Sequence, residues 1–252
     1  DSGWDRGLQL RHQDANTVNG VDNICPRLAP DDEQDGGFAI YQTIIAQVFD
    51  RIADGCHIGK AHGMDVQILE AEWGTAVKPE AVKAALDANP KIRGVFVQHN
   101  ESSTGVKHDI QAIASVVKDR ANVILVVDAI SGAGAMALET QAWGVDVVVV
   151  GSQKALALPP GLAFLSASAR AWERIESAKS PRFYFDLRRE RKAQGGGESA
   201  FTPAISNMVA LRAALEFVQG LGGVDALVKN AGTLAACTRA AAAALGLPLV
   251  AP

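Results

Sequence analysis

Four consecutive valines, Val147 to Val150, narrow the folds open to this chain more than any other feature. A run of β-branched residues has no polar face to offer water, so as a strand it must be covered on both sides, as strands are in a parallel sheet. Within Val145–Val150 only Asp146 is polar, and Gly151 stops the run. Ser152, Gln153 and Lys154 follow, where the backbone leaves the carboxyl end of the strand. In open α/β sheets that edge is where ligands bind. An ammonium placed there beside apolar walls is pushed toward its neutral, nucleophilic form, whereas one facing water is an ordinary surface lysine.

The preceding apolar run, Asn122-Val123-Ile124-Leu125-Val126-Val127-Asp128, ends in a carboxylate 26 residues before Lys154. That separation allows one crossover, through Ser131 to Trp143, between parallel strands whose ends share an edge. Asp128 and Lys154 are then expected to face one crevice. Taken alone, Asp128 reads as a turn or cap residue.

Four segments, in this order and spacing, resemble the class V aminotransferases, and within them the alanine-glyoxylate and serine-pyruvate group of fold-type I pyridoxal phosphate enzymes. They are His99-Asn100-Glu101-Ser102-Ser103-Thr104-Gly105, Val127-Asp128-Ala129-Ile130-Ser131, Gly151 to Leu156 with Pro159-Pro160-Gly161, and Phe201-Thr202-Pro203-Ala204. The resemblance implies an α/β fold, a mostly parallel sheet sandwiched by helices, as in the aspartate aminotransferase-like large domain, with the start of a small C-terminal domain. It implies pyridoxal 5'-phosphate held covalently by Lys154, with Asp128 keeping the pyridine nitrogen protonated so that the ring acts as an electron sink. It also implies that Ser102 reaches the phenolic oxygen region, that Ile130 packs on one ring face and that Gln153 contacts the phosphate. Thr202 is expected to reach the phosphate held by a neighbouring subunit, hence a homodimer with shared active sites. Without the resemblance, Glu101 to Gly105 is an ordinary polar loop, and Thr202 is a helix cap ahead of Pro203.

The expected layout is an atypical N-terminal region over residues 1–58, a cofactor-binding core over 59–200, and a connecting helix with an incomplete small domain over 201–252. Residues 1–37 are polar, carry Pro26 and Pro30, and show no sustained period, so they read as loop. No Gly/Ser/Thr cluster there matches the family's phosphate-cradling helix start. Ile40, Ile44, Val48 and Ile52 recur every four residues and predict a helix over 39–53. Phe49 falls where relatives carry an aromatic that stacks on the pyridine ring; it reads equally as a core phenylalanine. Strands are expected at Met64–Leu69 and Gly94–Gln98, and helices from Pro79 to Asn89, Asp109 to Val117, and Val224 to Leu245. The short Pro159-Pro160-Gly161 turn cannot make a parallel crossover, so Leu162–Ser166 should run antiparallel to its neighbour. Ile205, Met208, Leu211, Leu215 and Val218 line one face of another helix.

With 48% apolar residues the chain can bury a substantial core, and a net charge of −4 offers nucleic acid or an acidic membrane no general attraction. Arg188-Arg189-Glu190-Arg191-Lys192 reads as a solvated helix face or loop. Three well-separated cysteines suggest neither a disulfide framework nor a metal site, so the expected compartment is reducing and cytoplasmic. The resemblance implies transamination of alanine or serine with glyoxylate or pyruvate. Desulfurases and related lyases of class V share the lysine and aspartate, but desulfurases commonly place histidine before the lysine, where Gln153 stands here. A catalytically impaired relative is the alternative of another kind. It rests on the missing phosphate cradle and on an arginine for the substrate carboxylate, which relatives carry in sequence corresponding to positions after Pro252.

Overall fold

The computed structural model describes residues 42–47, 59–60, 62–180 and 182–251. The expectations for residues 1–37, for Phe49 and for a phosphate cradle lie outside them. Thirteen elements follow one another: β1 Gln42–Gln47, β2 Asp65–Glu70, α1 Pro79–Ala88, β3 Gly94–Gln98, α2 Ile110–Val117, β4 Ile124–Asp128, α3 Thr140–Trp143, β5 Val147–Gly151, β6 Ala163–Ala167, α4 Ala169–Ser177, α5 Leu187–Gly195, α6 Ile205–Gly220 and α7 Val224–Ala244.

The six strands form one sheet in the order β2-β1-β3-β4-β5-β6, and its first five strands are parallel. β6 closes the edge antiparallel to β5, as the short Pro-Pro-Gly turn requires. The helix expected over 39–53 is corrected: residues 42–47 form β1, hydrogen-bonded between β2 and β3. From β1 the chain moves outward to β2 and then returns past β1 to β3. Strand order therefore reverses between β1 and β3, the position at which open sheets part their connecting loops.

The valine run is covered on both faces. Val148 and Val150 join Val95, Val97, Leu125 and Val127 in the larger core, where Val82, Ala85 and Leu86 of α1 and Ile110, Ile113, Ala114 and Val117 of α2 pack. Val147 faces the other way, with Ile124 and Ala171 of α4, and half-buried Val126 and Val149 pack against them. Alternate residues of β4 and β5 thus bury opposite faces, which only a strand repeat of two achieves.

Local chemistry sets the helix ends. The Asp109 carboxylate accepts from the Ala112 amide at 2.9 Å, and the Ser168 hydroxyl accepts from the Ala171 amide at 3.1 Å. Pro79 opens α1 from its first turn. α6 starts at Ile205 with Ala204 as its cap, so Thr202 does not cap it, contrary to the reading made without the resemblance. The basic run lies on α5, which has no buried residue, and Asp186 caps that helix at the Arg188 amide.

Asp146, the one polar residue beside the valines, is almost fully buried. Its carboxylate accepts from the Leu125 amide at 2.8 Å, from the Ser168 hydroxyl at 2.9 Å, and from Arg170 Nε and Nη2 at 2.9 and 2.7 Å. This clasp ties β4, β5 and α4 together at the amino ends of the strands.

Candidate active site

The carboxyl ends of β3, β4 and β5 lie side by side, and each carries a segment singled out by the sequence. β4 ends at Asp128, which pairs in register with Gln98 of β3 and Val149 of β5. One carboxylate oxygen of Asp128, Oδ1, accepts from the Ile130 amide at 2.9 Å, closing a tight turn. The residue remains exposed at the sheet edge. Even so, the protein around it pushes its carboxyl above the usual range: burial is the main cause, the negative field of Glu101 adds to it, and Lys154 opposes it. Lys154 is therefore near enough to act on Asp128 through its charge.

Lys154 sits at the exposed apex of a loop from Ser152 to Leu162 that is cinched from below. Ser152 is fully buried. Its hydroxyl donates to the Pro159 carbonyl at 2.8 Å and accepts from the Leu162 amide at 3.3 Å, while its own amide donates to the Leu162 carbonyl. Within the loop, the Ala157 amide donates to the Lys154 carbonyl at 2.9 Å. Ala157 adopts φ 54°, a left-handed conformation that a residue with Cβ takes only when its surroundings impose it. From outside, Asn207 of α6 donates to the Pro160 carbonyl at 3.1 Å.

Gln153 and Ile130 converge over the end of β5. A Cβ on Gly151 would lie 2.9 Å from Gln153 Oε1 and 3.2 Å from Ile130 Cγ2, so the glycine makes room for both side chains to lean across the strand end. Ser102 is exposed at the tip of the turn after β3. Thr202 is also exposed, on the approach to α6. Asp128, Ile130, Gln153 and Lys154 thus gather at the carboxyl ends of adjacent strands, with Ser102 on the next loop, while Thr202 stands on the approach to α6.

Beneath the Ser102 turn lies a polar cluster that the sequence, read as an ordinary loop, does not announce. Gln98, His99, Glu101, Thr104 and His108 are all buried. Burial is the first cause holding both histidines below the usual imidazole range, His99 at about 4, where Lys107 and His108 add to the effect. His99 lies flat against Gly132, where a Cβ would come within 2.5 Å of Nδ1. A shallow depression lined by Asp87, Asn89, Arg93, Arg120 and Asn122 lies at the amino ends of β3 and β4, away from all these groups.

Residues 53–247 match the sequence profile of the Aminotransferase class-V family, most of the chain, and the protein belongs to that family. The chain is 40% identical over 196 residues to the soluble hydrogenase 42 kDa subunit of Anabaena cylindrica, covering 77% of this chain and 51% of that one. It is 36% identical over 195 residues to a serine–glyoxylate aminotransferase of Methylorubrum extorquens, covering 73% and 48%. Among solved structures, the subgroup IV aspartate aminotransferase of Thermus thermophilus aligns with a TM-score of 0.65 at 31% identity over 78% of this chain and 53% of that one. The fold is accordingly that of fold-type I enzymes. The chain spans about half the length of these relatives.

Proposed function

We propose that this chain carries the cofactor half of a pyridoxal phosphate-dependent aminotransferase, acting on a small amino acid such as alanine or serine with glyoxylate or pyruvate as acceptor. The observation that carries the reading is that Asp128 and the loop of Lys154 stand at the carboxyl ends of adjacent parallel strands, with the charge of Lys154 acting on Asp128. The residues fit the cofactor. Oδ1 of Asp128 is engaged by the Ile130 amide, and the carboxylate stays open to the edge where a cationic ring nitrogen would lie. The space that Gly151 leaves holds the side chains of Ile130 and Gln153 together at the strand end, where Ile130 would pack on the ring and Gln153 would contact the phosphate.

When bound, pyridoxal phosphate supplies an electron-withdrawing ring that weakens the Cα–H bond of the amino acid. Lys154 anchors the cofactor through its Nζ. Its amine, when free, would take the Cα proton of the amino acid and later return it. Asp128 holds the proton on the ring nitrogen by charge and hydrogen bonding. Ser102 orients the phenolic oxygen, and Thr202 serves the phosphate held by a second copy, in a homodimer. Residues 201–252 begin the small domain. The names of relatives acting on serine or aspartate with glyoxylate support the substrate class.

Titration of the purified chain with pyridoxal phosphate, followed by absorbance near the visible edge, tests the assignment. A band should appear and survive Lys→Ala changes elsewhere, but vanish in Lys154→Ala. Its loss on changing another lysine instead would overturn the role of Lys154.

A further inference from the structure

The turn that carries Ser102 is held from within by a carboxylate. The Glu101 side chain is 6% exposed. Its Oε1 accepts from the Ser103 amide at 2.8 Å and its Oε2 from Gln98 Nε2 at 3.2 Å. Its backbone closes the same turn, with the Glu101 amide donating to the Val106 carbonyl and the Gly105 amide to the Glu101 carbonyl, both at 2.8 Å. Gln98 pairs in register with Asp128, and the His99 amide donates to the Asp128 carbonyl at 2.7 Å. Two carboxylates therefore stand at the ends of neighbouring strands. One is buried and bonded to the Ser102 turn, and the other opens to the crevice.

We propose that Glu101 is a positioning residue of this site, which fixes the Ser102 turn from beneath and sets the negative field through which Asp128 grips a cationic ring. The functional half of this statement rests on reading Asp128 as the partner of the ring nitrogen. A buried anion that disfavours the charged form of Asp128 favours, through the same negative field, any cation docked against it. Among the described residues, the groups that act on Asp128 by charge are Glu101 and Lys154. Lys154 opposes Glu101, while His99 and His108 pack beneath as neutral rings, with Lys107 acting on His99.

The buried Oε1 of Gln98 has no hydrogen-bond partner. Glu101→Gln is therefore a clean test. Its new amide can donate to Gln98 Oε1 once the Gln98 amide turns over, and its carbonyl can still accept from Ser103. The bonds to Ser103 and Gln98 survive and the charge does not.

Carbon-13 NMR of the Asp128 carboxyl, assigned with Asp128→Asn, is followed against pH in the full chain without cofactor. The Asp128 midpoint should fall in Glu101→Gln by on the order of half a pH unit or more, while the Ser103 amide keeps its hydrogen-exchange protection. An unchanged or raised midpoint overturns the proposal. So does collapse of the fold on this isosteric change, since the role of Glu101 would then be structural. Because the titration uses no cofactor, it is independent of the cofactor reading. A wild-type chain that never develops the absorbance band would sink that reading and leave the titration to stand.

Discussion

Burial and Glu101 hold the Asp128 carboxyl above its usual range, so folding disfavours its ionised form. Its folded-state pKa lies above the unfolded value, so the native chain binds the extra proton. Stability then falls as pH rises from about the unfolded value through the folded one, and the deficit persists at pH 7. Asp128→Asn removes the deficit and keeps the shape. Thermal unfolding of the cofactor-free chain at pH 7 should occur at the same temperature or a higher one. The same change leaves the ring nitrogen without an anionic partner. Exchange of the Cα hydrogen of alanine, followed by NMR with cofactor present, should slow about ten- to a hundredfold, since a hydrogen bond to a charged group contributes about 1.5–3 kcal/mol. A wild-type exchange rate would remove the assigned role.

Between residue and fold, the unit that matters is the Ser152–Leu162 loop. Ser152→Ala takes a donor from the Pro159 carbonyl and an acceptor from the Leu162 amide in a place with little water, at a cost of about 1–3 kcal/mol. Hydrogen exchange at the Leu158 and Leu162 amides should quicken while β4 and β5 stay protected, and unchanged exchange at both amides would show that the hydroxyl does not hold the loop. β3 to β5 were legible in the sequence because their residues are buried on both faces, and the antiparallel edge strand β6 followed from the length of the Pro159–Gly161 turn. β1 was not legible. Isoleucine and valine spaced by four fit a helix, yet four is an even number and fits one face of a strand equally well. Asp128 and Lys154 could be found because each interrupts an apolar run at its end. The cluster under Ser102 could not, because a buried Glu101 and a solvated one look the same in a sequence. Asp146 was visible as an oddity among valines, but its partner Arg170 lies 24 residues away, across two strands and the loop that joins them.

Across the whole molecule, the buried histidines dictate the response to acid. Their folded-state pKa values lie below the unfolded one, so the unfolded chain binds the extra protons, and stability is lost as pH falls from about 6.5 toward the His99 value of about 4. For His99 alone the full shift corresponds to roughly 3 kcal/mol, a large part of what holds a domain together. Urea unfolding at pH 7, 5.5 and 4.5 should show the midpoint falling steadily, and the fall should be shallower in His108→Asn. A midpoint flat across that range would mean that the rings are not buried as neutral groups. The Asp146–Arg170 clasp governs geometry instead. Asp146 grips the Leu125 amide, and from those two residues β5 and β4 run in register to Val149 and Asp128. Those three strand steps measure roughly 10 Å. The strands act as a pair of rulers zeroed at the salt bridge, and the spacing between acid and amine is read off at their far ends. A slip of one residue at the zero mark would turn the side chains of one ruler to its opposite face and carry Asp128 and Lys154 out of alignment, with both residues still in the sequence.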